Sequence, residues 1–337
     1  MSDSRSNGFS GECHPEIFTV PPKDAKEQGP LSKEQVDFFF REGYLVIEDF
    51  FDIENDINPC LKAMDCIVEN CASILYKAGK ITNKHEDKGS HERLTYLAKE
   101  YPDAPVIAYK FGGFPIEFRN LWSNERLLDA LEQLLGPDIQ GHPNYLFRTK
   151  IPNNQANDPW HQDSAYLDME ACKVLQITGW IPFIDVNETN SCMKVVKRKK
   201  SEIERTLGAD MEKDVVLCEM RKGSILLFNN MLPHTSTNNL SNEIRWSMDV
   251  RWQSSKEKLG FCNKKPGILM RDSQNPLHKI NWSEFDTIKP SNVELFGLTD
   301  DENDFGSIIT GPYMKNWNMT NKNRHVLEFF AKESRNF

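Results

Sequence analysis

The feature that most constrains this chain is a change of apolar period near residue 144. Upstream, apolar residues recur at helical spacing; downstream, they alternate with polar ones. Ser32 and Gln35 stand at capping-box spacing ahead of a stripe made by Val36, Phe39 and Phe40, and Gly43 suits the position just past a helix end. Tyr44 to Ile47 reads as a short strand. Residues 53–78 carry Ile57, Leu61, Met64, Ile67, Val68, Cys71 and Leu75 at helical spacing, with Pro59 in the first turn or breaking it. Residues 79–112 are polar and poorly periodic. Residues 123–135 form a clearer amphipathic helix, stopped by Gly136-Pro137. After the change, residues 144–150, 174–184, 192–196, 214–219, 224–228 and 244–253 are short, rich in β-formers and mostly separated by turn residues. Strands so closely spaced predict a sandwich or barrel. The chain is therefore expected to be mainly β with flanking helices. Residues 1–30, rich in Ser, Gly, Pro and charge, are expected to be a flexible lead-in. Residues 31–337 are expected to form a single domain, with a core over about 140–255 and an irregular tail that ends in a helix near 322–333.

Charge and composition remove several function classes. The 337 residues include 41 basic and 50 acidic side chains, a net charge of −9. That balance argues against sequence-independent binding to nucleic acid or to an anionic membrane. No apolar run approaches the roughly 18 residues needed to span a bilayer, and the polar first eight residues offer no secretory core. None of the eight cysteines forms a C-x-x-C pair. They read as reduced thiols of a cytoplasmic protein, which makes the four N-x-S/T sequons chance occurrences.

Four features carry chemistry. Trp160-His161-Gln162-Asp163, on extended chain, turns an imidazole and a carboxylate to the same side, where both can reach one metal ion. An H-x-D also arises by chance in many chains. His234 follows the apolar segment 223–228 and could add a third ligand. Two His and one carboxylate with open positions form the facial triad of non-haem Fe(II) oxygenases, while a lone His is more commonly a core or surface residue. Eleven residues on, Arg245 opens a strand that alternates so that Arg245, Ser247, Asp249 and Arg251 share a face. Such a face is ligand-lined or the outside of a barrel, and an Arg with a hydroxyl two residues away can grip a carboxylate. Arg148 and Lys150 share a face of the strand before the H-x-D. They are either solvated or turned inward toward an anionic substrate.

In this combination the sequence resembles the phytanoyl-CoA dioxygenase family of Fe(II)/2-oxoglutarate oxygenases. The resemblance runs from about Leu31 to Gln253. It is carried by Glu42-Gly43-Tyr44-Leu45-Val46-Ile47, Leu134-Leu135-Gly136-Pro137, Lys150-Ile151-Pro152, His161-Gln162-Asp163 and Trp180-Ile181-Pro182-Phe183, then His234-Thr235-Ser236, Asn239-Leu240-Ser241 and Arg245. One departure stands out: a Pro-Gly-Ser-His turn usual in the family is absent, and residues 190–200 end instead in a basic run, read as solvated surface. The resemblance implies a double-stranded β-helix, the cupin-like jelly roll. It implies His161, Asp163 and His234 as iron ligands, with Fe(II), 2-oxoglutarate and O₂ as the reacting set. Arg245 would pair with the distal carboxylate of 2-oxoglutarate, assisted by Ser247, with Gln176 and Thr178 reaching cosubstrate or substrate. Trp160, Tyr166, Trp180, Arg148 and Lys150 are candidates for contact with a small, carboxylate-bearing substrate. The expected reaction is hydroxylation of an unactivated C–H with release of succinate and CO₂. Desaturation or cyclisation at the same site is the alternative outcome, and a silent binding jelly roll is the alternative of another class. Halogenation is disfavoured, since Asp163 fills the position a halide would need.

Overall fold

The computed structural model describes residues 18–153, 160–168, 173–197, 214–260 and 266–287, with Phe305, Leu327 and Ala331. Its first helix, α1 (Lys33–Glu42), begins as the spacing predicts. Ser32 Oγ accepts from the Gln35 backbone N–H, and the Gln35 side chain accepts from the Ser32 N–H. Gly43, at φ 85°, ends the helix in the left-handed region and turns the chain into β1 (Tyr44–Ile47). Residues 53–78 are helical: a π turn at Ile53–Ile57 leads into α2 (Asn58–Lys77), with Pro59 in the first turn, where its missing N–H has no intrahelical role.

The region 79–112 differs from its polar reading. It holds α3 (Ser90–Glu100) and α4 (Ala104–Gly112), followed by α5 (Ile116–Trp122) and the predicted α6 (Glu125–Leu135). Helices α3 and α4 bury few hydrophobic side chains: Leu94, Leu97 and Ala98 on α3, and Ala104, Ile107 and Ala108 on α4. Three contacts at helical spacing suffice once α2 supplies a surface to pack on. Residues 18–30 also differ from the expected flexible lead-in. Phe18 is buried, the Lys26 N–H donates to Glu132 O, and Gln133 exchanges hydrogen bonds with both backbone groups of Leu31.

The strands are β2 (Ile139–Gly141), β3 (Leu146–Lys150), β4 (Gln176–Pro182), β5 (Met193–Val196), β6 (Val215–Cys218), β7 (Ile225–Asn229), β8 (His234–Ser236), β9 (Arg245–Ser254) and β10 (Ile268–Arg271); α7 (Trp282–Thr287) follows. The large sheet has the order β1-β7-β4-β9-β2-β10, with β3 also paired to β9; the small one has the order β6-β5-β8. Every strand pair in both is antiparallel. Two antiparallel sheets with flanking helices are consistent with a jelly roll. Of the C-terminal helix expected at 322–333, only Leu327 and Ala331 fall among the described residues, and both are helical.

Strand β9 explains how the site is placed. Trp246, Met248, Val250 and Trp252 turn to the large core shared with the helices. Arg245, Ser247, Asp249, Arg251 and Gln253 alternate with them and are also buried. That second face looks toward the small sheet, and Trp180 and Phe228 of the large sheet form a separate apolar cluster with Val195, Met193 and Cys218 of the small one. Thus the polar face of β9 is interior, not the outside of the barrel. Gly179 is needed beside it, because a Cβ there would stand 2.8 Å from the Trp252 ring. In the departing segment, Ser191 takes φ 78°, a conformation that favours glycine, and its hydroxyl is tied to Thr237 O at 2.6 Å.

Candidate metal centre

His161 and His234 lie opposite each other on paired backbone. The His161 N–H donates to His234 O at 3.1 Å, and the His234 N–H donates to His161 O at 2.9 Å. Residues facing in such a pair are close neighbours, and the two imidazole centroids are 4.3 Å apart. Asp163 opens a 3-10 turn at Asp163–Tyr166 and brings its carboxylate between them. Its Oδ1 is 3.9 Å from His161 Nε2 and 3.8 Å from His234 Nε2. One ligand atom from each residue lies within 4.8 Å of the other two, and all three residues are buried. The H-x-D and the distant His therefore converge.

The surroundings put these groups in ligating form. His234 Nδ1 is 3.0 Å from Leu232 O, which fixes the N–H there and leaves Nε2 as a lone-pair donor facing Asp163. Burial, with His161 beside it, pushes the His234 imidazole down to about 3, so it is neutral. Burial opposes ionisation of Asp163, but the Arg251 guanidinium outweighs it by its charge and its hydrogen bonds. They hold the carboxyl well below the usual carboxylate range. Two imidazoles and one carboxylate brought together in this way suit a divalent iron ion with open positions.

Arg251 was visible in the sequence only as one of four polar residues on a strand face. In the fold it grips Asp163 with a fork: Nε donates to Oδ2 and Nη2 to Oδ1, both at 3.0 Å, while Nη1 donates to Asn144 O at 2.8 Å. Thr178 is also a partner of that carboxylate, donating from Oγ1 to Oδ2 at 2.6 Å. The register accounts for both, since Thr178 pairs with Arg251 across β4 and β9. Thr178 thus braces the Asp163 carboxylate and also lines the cavity beside His161 and His234.

The same cavity is lined by Arg148, Lys150, Trp180, Arg245 and Asp249. Register again collects them, because Lys150 pairs with Arg245 and Arg148 with Ser247. Arg245 is almost fully buried, lies over the Trp180 ring with its guanidinium carbon 5.3 Å from the centroid, and donates from Nη1 to Ser247 Oγ. Lys150 Nζ is held by Ser236 Oγ at 2.5 Å and Thr237 O at 3.2 Å. Arg148 Nε donates to Asp249 Oδ2 at 2.6 Å. Asn239 braces this end by donating to Lys150 O and Glu243 O. Tyr166 meets the His161 ring edge-on at 6.2 Å. Gln176, two residues before Thr178, bonds to Gln253 at 3.4 Å and is not among the residues lining the cavity. Trp160 is half-buried beside His161 and is likewise not among them.

A family model described as phytanoyl-CoA dioxygenase (PhyH) matches residues 39–247. A phytanoyl-CoA dioxygenase of Arabidopsis thaliana is 27% identical over 254 residues, which cover 64% of this chain and 87% of that protein. Among solved structures, EctD from S. alaskensis in its apo form aligns over 78% of this chain and 91% of that one, with a TM-score of 0.52 and 17% identity. The same protein with 2-oxoglutarate and 5-hydroxyectoine aligns over 74% and 88%, with a TM-score of 0.50 and 17% identity. The likeness to EctD is one of fold. The family match extends from α1 into β9 and takes in His161, Asp163, His234 and Arg245. The chain belongs to the phytanoyl-CoA dioxygenase family and is a 2-oxoglutarate-dependent non-haem iron dioxygenase.

Proposed function

We propose that the protein hydroxylates an unactivated C–H of a small, carboxylate-bearing molecule. The observation that carries this reading is the convergence of His161, Asp163 and His234 at a cavity that the two histidines line together with Arg245, Lys150 and Arg148. His161, Asp163 and His234 would hold the iron, which with 2-oxoglutarate and O₂ supplies the oxidising power, releasing succinate and CO₂. Arg251 and Thr178 keep the Asp163 carboxylate ionised and aimed. Arg245, stiffened by Ser247 and Trp180, receives the distal carboxylate of 2-oxoglutarate; its fork suits a planar anion. Lys150 and Arg148 give the remaining wall a basic character that fits a second carboxylate, that of the substrate. The buried walls exclude water from the reacting groups.

The test is Asp163→Ala in protein loaded with Fe(II) under anaerobic conditions. Iron content should fall, and iron-dependent formation of succinate should be abolished. An active Asp163→Ala protein with full iron would refute the ligand assignment. Product mass reads the outcome: hydroxylation adds one oxygen, whereas desaturation or ring closure removes two hydrogens.

A further inference from the structure

Asp249 has a chemistry that iron and cosubstrate binding leave unexplained. It stands on the interior face of β9, paired across the sheet with Trp180 on one side and Leu146 on the other. The residue is 6% exposed and forms part of the cavity wall that His161, His234 and Arg245 also line. Its Oδ2 accepts from Arg148 Nε at 2.6 Å, yet its Oδ1 is buried without a hydrogen-bond donor among the described residues. A carboxylate oxygen removed from water and given no donor is a costly defect, and folded proteins retain few of them. Where one forms part of a binding cavity, the missing donor belongs to the ligand.

Two kinds of donor could serve. A neutral hydroxyl would satisfy the geometry, but an ammonium group matches the charge as well, through a charge-assisted hydrogen bond. The basic groups around it supply the rest of the recognition. Arg148 is bound to Asp249 itself, and Lys150 lies two residues along the same face of β3. A carboxylate and a donor of opposite charge, a few ångströms apart on one molecule, describe a zwitterion. Resting on the proposed reaction, we infer that the substrate is a zwitterionic amino acid or a close derivative, with its ammonium group on Asp249 Oδ1 and its carboxylate on the Lys150–Arg148 side. Asp249 is then a specificity residue, fixing which carbon faces the iron by holding the amine at one end of the cavity.

The experiment is equilibrium binding by calorimetry to the Fe(II)-loaded protein with 2-oxoglutarate, without O₂. The probes are free amino acids, the 2-hydroxy acids of the same skeleton and the des-amino carboxylic acids. Free amino acids should bind at least tenfold tighter than des-amino acids, with the hydroxy acids between, and Asp249→Asn should erase the preference for the amine. Equal binding of amino and des-amino acids, binding of none of the three, or a preference that survives Asp249→Asn would each overturn the inference. If Asp249→Asn does not fold, the wild-type comparison alone decides. Succinate formation separates this from the underlying reading. A wild-type protein that prefers amines but never turns over 2-oxoglutarate loses the oxygenase assignment while Asp249 keeps its role.

Discussion

Replacing Arg251 with Met should reveal how far the metal centre depends on a residue that touches no metal. Arg251 makes three hydrogen bonds from a fully buried position, two of them to Asp163. Deleting one partner of a buried ion pair leaves the other charge uncompensated, at about 3–5 kcal/mol. Native stability is only about 5–15 kcal/mol, so about a fifth of it or more is at stake. In melting temperature this is on the order of 10 °C, at about 2–4 °C per kcal/mol for chains of moderate size. The effect on iron follows the same physics. Without the guanidinium, burial favours the protonated carboxyl of Asp163, which must lose its proton and be reoriented before it can ligate. Iron affinity should fall about 10–100-fold, the usual cost of losing a partner of a ligand. Arg251→Lys retains the charge without the fork and should lie between the two. The assay pairs thermal melts of the metal-free proteins with anaerobic Fe(II) titrations. Arg251→Met melting within about 2 °C of wild type, or binding iron as tightly or more tightly, would refute the reasoning.

Other consequences can be read at single residues. Arg245→Ala removes the expected partner of the distal carboxylate. At about 3–5 kcal/mol for a broken buried pair, the 2-oxoglutarate requirement should rise a hundredfold or more. A steady-state titration with unchanged half-saturation would remove Arg245 from that role. His142 is fully buried, accepts the Asn144 N–H on Nδ1, and is pushed by burial and then by Arg251 from the ordinary 6.5 down to about 3. Across that window the unfolded chain binds a proton that the folded chain does not, so stability falls as pH drops below 6.5. His142→Gln should therefore flatten the decline of melting temperature with acidity, and a variant tracking wild type through the window would contradict the assignment.

The strands and the candidate ligand set were legible in the sequence because they rest on local rules. Alternation marked β3, β4, β7 and β9, and the H-x-D with its distant His marked the metal site. What was not legible depends on which strands lie side by side. Arg251 and Thr178 are 73 residues apart in number, and only the β4–β9 register sets both on Asp163. Whether Arg148 and Lys150 face solvent or cavity is settled by their pairing with β9, not by their own spacing. The helices α3 and α4 escaped notice for a different reason. Each is short, so the period hardly repeats, and the packing surface provided by α2 decides their conformation. Gln176 looked equivalent to Thr178 by alternation, yet it lies one pair further along the strand, where Gln253 occupies it.

Strand β9 carries tryptophans on one side and the site's charged groups on the other, and this ties the heritable variation of the chain to its chemistry. Point substitutions on either face can be sampled separately. A one-residue insertion or deletion cannot, because it would exchange the faces over the rest of the strand. Arg251 and Asp249 would then point at the helices while Trp252 and Val250 filled the metal cavity, so the same event would remove the core and the catalyst together. Length changes should therefore be confined to the loops, and the alternation within β9 should persist across any lineage in which the iron site survives.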